Sequence, residues 1–238
     1  MILVFPQATQ KFNHFYNEIR ISRNGLEVYA EKISNIYDKK NIKEILFIVL
    51  DSFAYQEELK DSFANCFSTI PINFLLLKNE THGAMCTLLM AVNQLKDLPI
   101  VVSSLDQILL DSSSELIFNE DKATNAVVPV FNSNESIFSY LLRDDKAQPI
   151  QVFEKKVISD EAIMGIYFIK NFTDFFDFSI ELIVKYKGFR ERVFFISDVL
   201  NAYLRASKSI DFPVLITNKY YKFKSLKEYE AILNNEKD

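Results

Sequence analysis

One acidic side chain directly follows an apolar segment, at a position where it could act in chemistry. The segment Pro99–Gln107 reads PIVVSSLDQ, so that an apolar run leads into Ser103, Ser104 and then Asp106. In open α/β sheets, ligands bind beyond the carboxyl ends of the strands. A carboxylate there can hold Mg²⁺ against nucleotide phosphates, because Mg²⁺ is bound by one or two carboxylates together with phosphate oxygens. The alternative is a turn aspartate that accepts hydrogen bonds from nearby backbone N–H groups.

A second candidate is the segment THGAMCT at Thr81–Thr87, which opens a predicted helix. Gly83 and Ala84 leave space for a ligand to approach the backbone, and the N-terminus of a helix favours anionic groups. The alternative is structural. Thr81 or His82 would then cap the helix, and Gly83 would allow close packing against a strand.

His82 and Cys86 are four residues apart and could share one face of that helix, as a nucleophile and its base or as two metal ligands do. The neighbouring sequence supplies neither a third ligand nor an orienting carboxylate, so a capping histidine and a buried cysteine are preferred. The other cysteine is Cys66, and two cysteines cannot form a disulfide framework. Reduced thiols in the cytoplasm are therefore expected.

A third candidate is the cluster of Glu154, Lys155 and Lys156, at the end of a predicted strand. A lysine at such a position can pair with a phosphate while the glutamate accepts a hydrogen bond from a sugar hydroxyl. On spacing alone, an exposed cluster of ion pairs is the preferred interpretation.

Strands and helices alternate around these candidates. The strands predicted from apolar and β-branched runs are Ile2–Phe5, Glu44–Leu50, Ile72–Leu77, Pro99–Ser104, Ala126–Phe131, Ser139–Arg143, Ile150–Glu154, Ala162–Ile169 and Phe212–Ile216. The predicted helices are Glu27–Lys39, Tyr55–Asn65, Gly83–Leu95, Phe172–Lys185, Ser197–Ala206 and Ser225–Asn234. Alternating strands and helices with short connections predict a doubly wound, mostly parallel sheet.

Length and charge narrow the function classes. The chain has 238 residues, which suits one large α/β domain. A net charge of −5 without a dense basic block argues against nucleic acid as a partner. No stretch approaches the ~20 apolar residues that span a bilayer, and Met1–Phe12 is interpreted as a first strand and not as a signal peptide. We therefore expect a cytoplasmic protein.

Taken together and in order, four segments resemble the sugar-phosphate nucleotidyltransferase family, whose members join a nucleoside triphosphate to a sugar 1-phosphate and release pyrophosphate. The resemblance is strongest to members from bacterial capsule and surface-polysaccharide biosynthesis. The segments are THGAMCTLL (81–89), VSSLDQIL (102–109), FSYLLRDDKAQPIQVFEKKVISDEAIMGIYFIK (138–170) and ISDVLNAYL (196–204).

The resemblance implies a fold and a role for each matching residue. The fold would be one three-layer, Rossmann-like α/β domain over 1–238 with a mostly parallel mixed sheet, of the nucleotidyltransferase or GT-A type. Its nucleotide side would cover about 1–110 and its sugar-phosphate side about 111–238. Asp106 would bind Mg²⁺, while Lys155 and Lys11 would act on phosphates in catalysis. The residues implied on the nucleotide side are Thr81, Gly83, Ala84 and Ser104, and those on the sugar side are Glu154, Gly165 and Asp198.

Three segments depart from the family pattern. The family's first strand leads into a glycine-rich loop with a basic residue, whereas residues 6–12 here read PQATQKF. Residues 21–25, ISRNG, occupy the region of the family's Pro-Lys-Pro segment. Residues 222–225, KFKS, replace a second metal-binding aspartate. Because backbone N–H groups must approach phosphates closely, losing the glycines should lower the rate of catalysis.

Two functions therefore stay open. A homo-oligomeric state also stays open. The chain is either an active nucleotidyltransferase that takes a nucleoside triphosphate and a sugar phosphate, or a relative that binds a nucleotide, a nucleotide-sugar or a partner enzyme without turnover. A GT-A glycosyltransferase is a third class, but no Asp-X-Asp motif follows a buried strand, and Asp144 and Asp145 lie in a predicted turn.

Overall fold

The secondary structure alternates between strands and helices in the first half of the chain. A computed structural model describes residues 1–22, 25–110, 124–186, 192–215, 217 and 219–235. In these ranges the strands are β1 (Ile2–Pro6), β2 (Glu44–Leu50), β3 (Ile72–Leu77), β4 (Ile100–Val102), β5 (Gln107–Leu109), β6 (Ala126–Val127), β7 (Val130–Asn132), β8 (Ser139–Arg143), β9 (Pro149–Phe153), β10 (Glu161–Ile163), β11 (Tyr167–Ile169), β12 (Ile210–Asp211) and β13 (Tyr220–Lys222). The helices are α1 (Gln10–Ile21), α2 (Gly25–Ser34), α3 (Gln56–Phe67), α4 (Ala84–Leu89), α5 (Val92–Leu95), α6 (Phe172–Lys185), α7 (Ile196–Arg205) and α8 (Leu226–Asn235).

Seven strands form a central sheet in the order β12-β6-β11-β4-β1-β2-β3. Neighbouring strands are parallel except where β11 pairs with β4 and β6. In β2, Ile45 and Phe47 point to one face while Leu46 and Ile48 point to the other, and all four are buried. A strand that is apolar on both faces must be covered on both faces.

Helices cover the two faces of this sheet and bury two separate apolar clusters. In one cluster, helices α1, α2, α3 and α8 pack on the sheet face that carries Phe47. In the other, helices α4, α5, α6 and α7 pack on the sheet face that carries Ile48. The expected three-layer α/β fold with a mostly parallel mixed sheet is thereby confirmed. Within the described ranges, no helix is long and apolar enough to cross a membrane.

Two smaller sheets lie at one edge of the central sheet. β7, β10, β8 and β9 form an antiparallel sheet in that order, and β13 pairs antiparallel with β5. The boundary expected near residue 110 adjoins residues 111–123, which lie outside the described part of the chain, as do residues 23 and 24 of the segment 21–25.

Most predicted elements agree with the structure to within two residues at each end, but five differ. The helix predicted over Glu27–Lys39 ends at Ser34, whose hydroxyl donates to the Glu31 carbonyl at 2.8 Å. The helix predicted over Gly83–Leu95 is broken into α4 and α5. At the break Met90 N–H donates to the Thr87 carbonyl, a three-residue spacing that tightens the turn.

Two predicted strands are each divided between sheets, and a third was wrong. Pro129 lacks an N–H and separates β6 from β7 within the predicted strand Ala126–Phe131. Gly165, with φ +73°, separates β10 from β11. In the predicted strand Phe212–Ile216, Val214 forms only an isolated bridge to Val130, and residue 216 lies outside the described part. The elements α1, β5, β12 and β13 were not predicted.

Candidate functional site

A cleft of about 510 Å³ opens at the carboxyl ends of β1 and β4. This volume suits a small molecule, because ligand pockets commonly enclose about 300–1,000 Å³. The predicted site residues that line the cleft are Lys11, Ala84, Ser104, Asp106, Glu154, Lys155 and Gly165. The other polar side chains in the lining are Gln7, Ser103, Ser136, Ser139, Tyr167, Lys222 and Lys224. The fold thus brings together segments that are distant in the sequence.

Strand topology explains why these segments meet. Because β1 and β4 are parallel neighbours, Gln7 and Ser104 follow them at the same edge, and Gln7 Nε2 donates to Ser104 Oγ at 3.3 Å. β11 runs antiparallel to β4, with Tyr167 opposite Val102. The amino end of β11 therefore reaches that same edge and places Gly165 in the lining.

Asp106 faces an ammonium group. Its Oδ2 lies 3.5 Å from Lys222 Nζ, while its Oδ1 is buried and has no hydrogen-bond partner in the structure. In the described part of the chain, no three acidic, histidine or cysteine side chains form a group that could hold a metal. The ammonium group disfavours Mg²⁺ at this carboxylate, because the cation would have to share Asp106 with a second positive charge. Magnesium at Asp106 stays a prediction that this donor set disfavours.

The pairing of β13 with β5 fixes the position of Lys222. Lys222 is opposite Gln107 in the ladder, and the N–H of Phe223 donates to the Asp106 carbonyl at 2.9 Å. Phe223 is buried while Lys222 and Lys224, on either side of it, both line the cleft. The alternation of side chains along an extended segment thus directs both lysines to one side.

Glu154 and Lys155 form the turn after β9. Glu154 Oε2 accepts hydrogen bonds from Ser139 Oγ at 2.5 Å and from Ser197 Oγ at 3.0 Å. Lys155 has φ +52°, and its Nζ lies 5.3 Å from the centroid of the Phe195 ring. A left-handed conformation at a residue with a side chain is costly, and such residues cluster at functional sites. The two serines fix the direction of the carboxylate, and Phe195 fixes that of the ammonium.

A buried polar network supports Gly165 from behind the cleft. A Cβ added at Gly165 would lie 3.3 Å from Gln107 Oε1. Gln107 is fully buried; its Nε2 donates to Ser103 Oγ at 2.6 Å and its Oε1 accepts from Tyr220 OH at 2.7 Å. Tyr220 OH also contacts the Met164 carbonyl. Both β13 and β5 are thus tied to the loop that carries Gly165.

Two tyrosine hydroxyls in this region keep their protons. Burial, followed by the negative charge of Asp106, raises the pKa of Tyr220 well above its ordinary value. Burial, followed by the charge of Glu154, also raises the pKa of Tyr167. A raised pKa means that the hydroxyl remains protonated at neutral pH. Tyr220 therefore acts as a donor in the network, and the carboxylates carry the negative charge.

Lys11 lies in the first turn of α1. Only residues 7–9 connect β1 to this helix, and Thr9 Oγ1 caps it by accepting from the N–H of Phe12 at 3.1 Å. The N–H of Gln10 donates to Glu80 Oε1 at 2.5 Å. A short capped connection therefore occupies the place where the sequence analysis noted a segment without glycine.

Gly83 does not line the cleft. It has φ +106°, and an added Cβ would lie 2.4 Å from the Phe194 carbonyl oxygen. The N–H of Phe194 donates to the His82 carbonyl at 2.7 Å. Gly83 thus allows the backbone of residue 194 to pack closely against the start of α4, which is the structural alternative stated for it.

Thr81 and Asp198 also lie outside the lining. Thr81 Oγ1 bonds with Thr87 Oγ1 at 2.6 Å and so ties the start of α4 together. Asp198 Oδ2 accepts from the N–H of Phe195 at 2.9 Å, and its Oδ1 pairs with Arg192 Nη2 at 2.5 Å. Asp198 therefore positions Phe195, which itself lines the cleft.

The structure gives Cys86 no reactive surroundings. The side chain is buried, and burial raises the pKa of its thiol to about 11. A thiol with this pKa is almost entirely protonated near neutral pH and is a poor nucleophile. The buried-cysteine interpretation therefore agrees with its environment.

Four lysines give the cleft a positive character. Lys11, Lys155, Lys222 and Lys224 line it together with two carboxylates, Asp106 and Glu154, which leaves a formal charge of +2 in a chain of charge −5. Lys222 and Lys224 were not predicted as site residues, although the resemblance set residues 222–225 in the place of a metal-binding aspartate. The signal that could have found them is the alternation KFK at 222–224 around a buried Phe223.

Comparisons with known proteins identify the fold. No protein-family model and no curated protein matches the chain. The solved structure of a nucleoside-diphosphate-sugar pyrophosphorylase from Vibrio cholerae RC9 is 17% identical, has a TM-score of 0.79, and covers 98% of this chain and 100% of its own. An inositol-1-phosphate CTP transferase from T. maritima (13% identity, TM-score 0.66, 98% and 94% covered) is also similar. A UDP-glucose pyrophosphorylase complexed with UDP-glucose is similar too. It is 14% identical, has a TM-score of 0.68, and covers 99% of this chain and 98% of its own. The chain has the fold of these nucleotidyltransferases.

Proposed function

We propose that this protein is a nucleotidyltransferase of the sugar-phosphate type, which transfers a nucleotidyl group from a nucleoside triphosphate to a sugar 1-phosphate or a similar phosphate. The observation that carries the proposal is the convergence of four lysines with Asp106 and Glu154 at the carboxyl ends of β1 and β4. Ligands of open α/β sheets bind at this edge. Residues 138–170 resemble enzymes of bacterial surface-polysaccharide biosynthesis, and this resemblance supports a role of the protein in that biosynthesis.

The proposed reaction needs positioning and charge neutralisation more than covalent help. A phosphate oxygen of the sugar phosphate forms a bond to the α-phosphorus, and the bond from the α-phosphorus to the bridging oxygen breaks, which releases pyrophosphate. Lys155 would pair with the sugar phosphate while Glu154, held by two serine hydroxyls, accepts from a sugar hydroxyl. Lys11 and Lys224 would pair with the phosphates of the nucleotide.

The base of the nucleotide would lie on the side of Ala84 and Ser104, which line the cleft. Thr81 and Gly83 adjoin Ala84 and would act there through the backbone at the start of α4. Gly165 would let the sugar approach the backbone, because its missing side chain leaves the lining open beside Gln107.

Pyrophosphate release tests the proposal. The four common nucleoside triphosphates would be paired with a panel of sugar 1-phosphates and related phosphates, in buffers with and without divalent cations. We expect turnover with at least one pair, and a loss of about 100-fold or more in Lys155→Met, since charge stabilisation of a transferring phosphoryl group is worth orders of magnitude in rate. Lys208→Met is the matched control, because Lys208 pairs with Asp174 at 2.7 Å and does not line the cleft.

A binding-only relative is the second candidate. Two observations favour it: the connection of β1 to α1 has only three residues, and Lys222 stands opposite Asp106. Such a protein would show no pyrophosphate release with any pair, while a nucleotide, a sugar phosphate or a nucleotide-sugar would raise its Tm. Absence of both turnover and stabilisation over the whole panel would contradict both candidates for those ligands.

A further inference from the structure

The ion pair between Lys222 and Asp106 joins two segments whose backbones are also hydrogen-bonded to each other. Lys222 lies in a strand paired with β5, and the adjacent residue, Phe223, is buried and donates its N–H to the carbonyl of Asp106 itself. The backbones of both partners are therefore held next to each other. This arrangement keeps the Lys222 ammonium within reach of the Asp106 carboxylate.

The surroundings of this pair have the chemistry of an anion site. Lys11, Lys155 and Lys224 line the same cleft, and none of the three forms an ion pair with a described carboxylate. Glu154, the other carboxylate of the lining, is occupied by two serine hydroxyls. Within the described lining, positive charge therefore exceeds negative charge by two without any metal ion.

A divalent cation at Asp106 would have to displace Lys222 or share its carboxylate with the ammonium at 3.5 Å. Moving the Lys222 ammonium away breaks its ion pair with Asp106, while sharing the carboxylate brings like charges together. The ammonium already neutralises Asp106, and its N–H groups are free to donate to a phosphate as well, because a lysine carries three donors.

We infer that Lys222 takes the place of a divalent cation in this cleft, so that phosphorylated ligands bind without metal. The inference rests on the proposed function only in assigning the cleft to phosphates. It adds Lys222 as a binding residue. It also predicts that binding needs no metal, whereas a magnesium site at Asp106 would make binding depend on Mg²⁺.

Calorimetric titration with inorganic pyrophosphate tests this inference on the whole chain. We expect saturable binding in excess EDTA, with an affinity that added MgCl₂ leaves unchanged or weakens. Lys222→Met should lower the affinity in EDTA by about tenfold or more, since a charge-assisted hydrogen bond contributes on that scale. Lys222→Arg keeps the charge and should retain binding, and Lys208→Met should match the wild type.

The reverse substitution sharpens the test. Lys222→Asp places two carboxylates together, so its pyrophosphate binding should vanish in EDTA and return when MgCl₂ is added. Thermal unfolding of each variant without ligand confirms that it is folded. Wild-type binding that occurs only with MgCl₂ would overturn the inference whatever the variants do, and so would equal affinities for Lys222→Met and Lys208→Met.

Binding and turnover separate this inference from the proposed function. Lys222-dependent binding in EDTA without any pyrophosphate release would uphold the inference while the transfer reaction fails. Pyrophosphate release together with strictly MgCl₂-dependent binding would uphold the transfer reaction while the inference fails.

Discussion

Lys155 has a backbone conformation that residues with a side chain rarely adopt. Its φ of +52° lies in the left-handed region, where a Cβ costs about 1–2 kcal/mol and glycine costs little. The same turn directs Glu154 and Lys155 into the cleft. The conformation is therefore maintained at the expense of stability at a position where a charged side chain meets a ligand.

Lys155→Gly should separate stability from binding. Glycine relieves the left-handed strain, so the free energy of unfolding should be unchanged or rise by up to about 1 kcal/mol. Pyrophosphate affinity should fall by about fivefold or more, because one ammonium leaves the cleft. Urea unfolding and calorimetry measure the two effects.

Ala147 provides the matched control for this substitution. It has φ +61°, is exposed in the turn between β8 and β9, and does not line the cleft. Ala147→Gly should give a similar gain in stability with unchanged pyrophosphate affinity. If Lys155→Gly keeps full affinity, Lys155 does not contact the phosphate.

At the scale of the elements, the break between β10 and β11 matters most for the site. Gly165 lies between β10, which belongs to the antiparallel sheet, and β11, which belongs to the central sheet. Its φ of +73° makes this change of direction possible, and Gln107 stands 3.3 Å from where a Cβ would lie. Because Ser103 and Tyr220 both hold Gln107, the amide cannot move away easily.

Gly165→Ala should therefore destabilise the fold by about 1–3 kcal/mol, the cost of a left-handed residue with a side chain together with a tight contact. Gly25→Ala is the control, because Gly25 has φ +67° and nothing lies within 4 Å of its missing Cβ. The difference between the two variants in urea unfolding isolates the contact with Gln107. If Gly165→Ala lowers the free energy of unfolding no more than Gly25→Ala does, the Gln107 side chain moves to accommodate the added methyl group.

The sequence predicted those elements whose signal is local. β2 has six consecutive apolar positions after Glu44, and α6 carries an apolar stripe, so both were located closely. β5 and β13 are three residues each, and their pairing joins Gln107 to Lys222 across more than a hundred residues. No local pattern reveals such a pairing, and for this reason the lysine at Asp106 was not predicted.

The same limit applies to the predicted site residues. The rule that ligands bind at the carboxyl ends of strands singled out Asp106, and the resemblance singled out Glu154 and Lys155; all three line the cleft. Gly83 was expected beside a ligand, yet its missing side chain accommodates the backbone of Phe194. A glycine that serves packing and one that serves binding look alike in sequence, because the residue that approaches is distant in the chain.

At the scale of the whole molecule, buried tyrosines couple stability to alkaline pH. Burial is the first cause that raises the pKa of eight of the 11 tyrosines, and the eight are Tyr16, Tyr29, Tyr37, Tyr140, Tyr167, Tyr203, Tyr220 and Tyr229. A raised pKa means that the folded state holds these protons more tightly than the unfolded state does. Stability is therefore fully present below about pH 10 and falls as pH rises above it.

We expect alkaline unfolding to be cooperative. Absorbance at 295 nm should report tyrosinate forming together with the loss of the folded circular dichroism signal, in a transition above pH 10. Ionisation of all the tyrosines near pH 10 in a protein that stays folded would contradict the burial shown here.

The pairing of β13 with β5 determines when the site at Asp106 can form during synthesis of the chain. Gln107 leaves the ribosome about 113 residues before Tyr220, an interval of roughly 6–20 s at the usual rate of synthesis. During that time Asp106 has no ammonium opposite it, and Gln107 lacks the hydroxyl that it accepts from in the folded protein. The growing chain can thus pair β1, β2, β3 and β4 of its central sheet before Lys222 is available to complete the anion site.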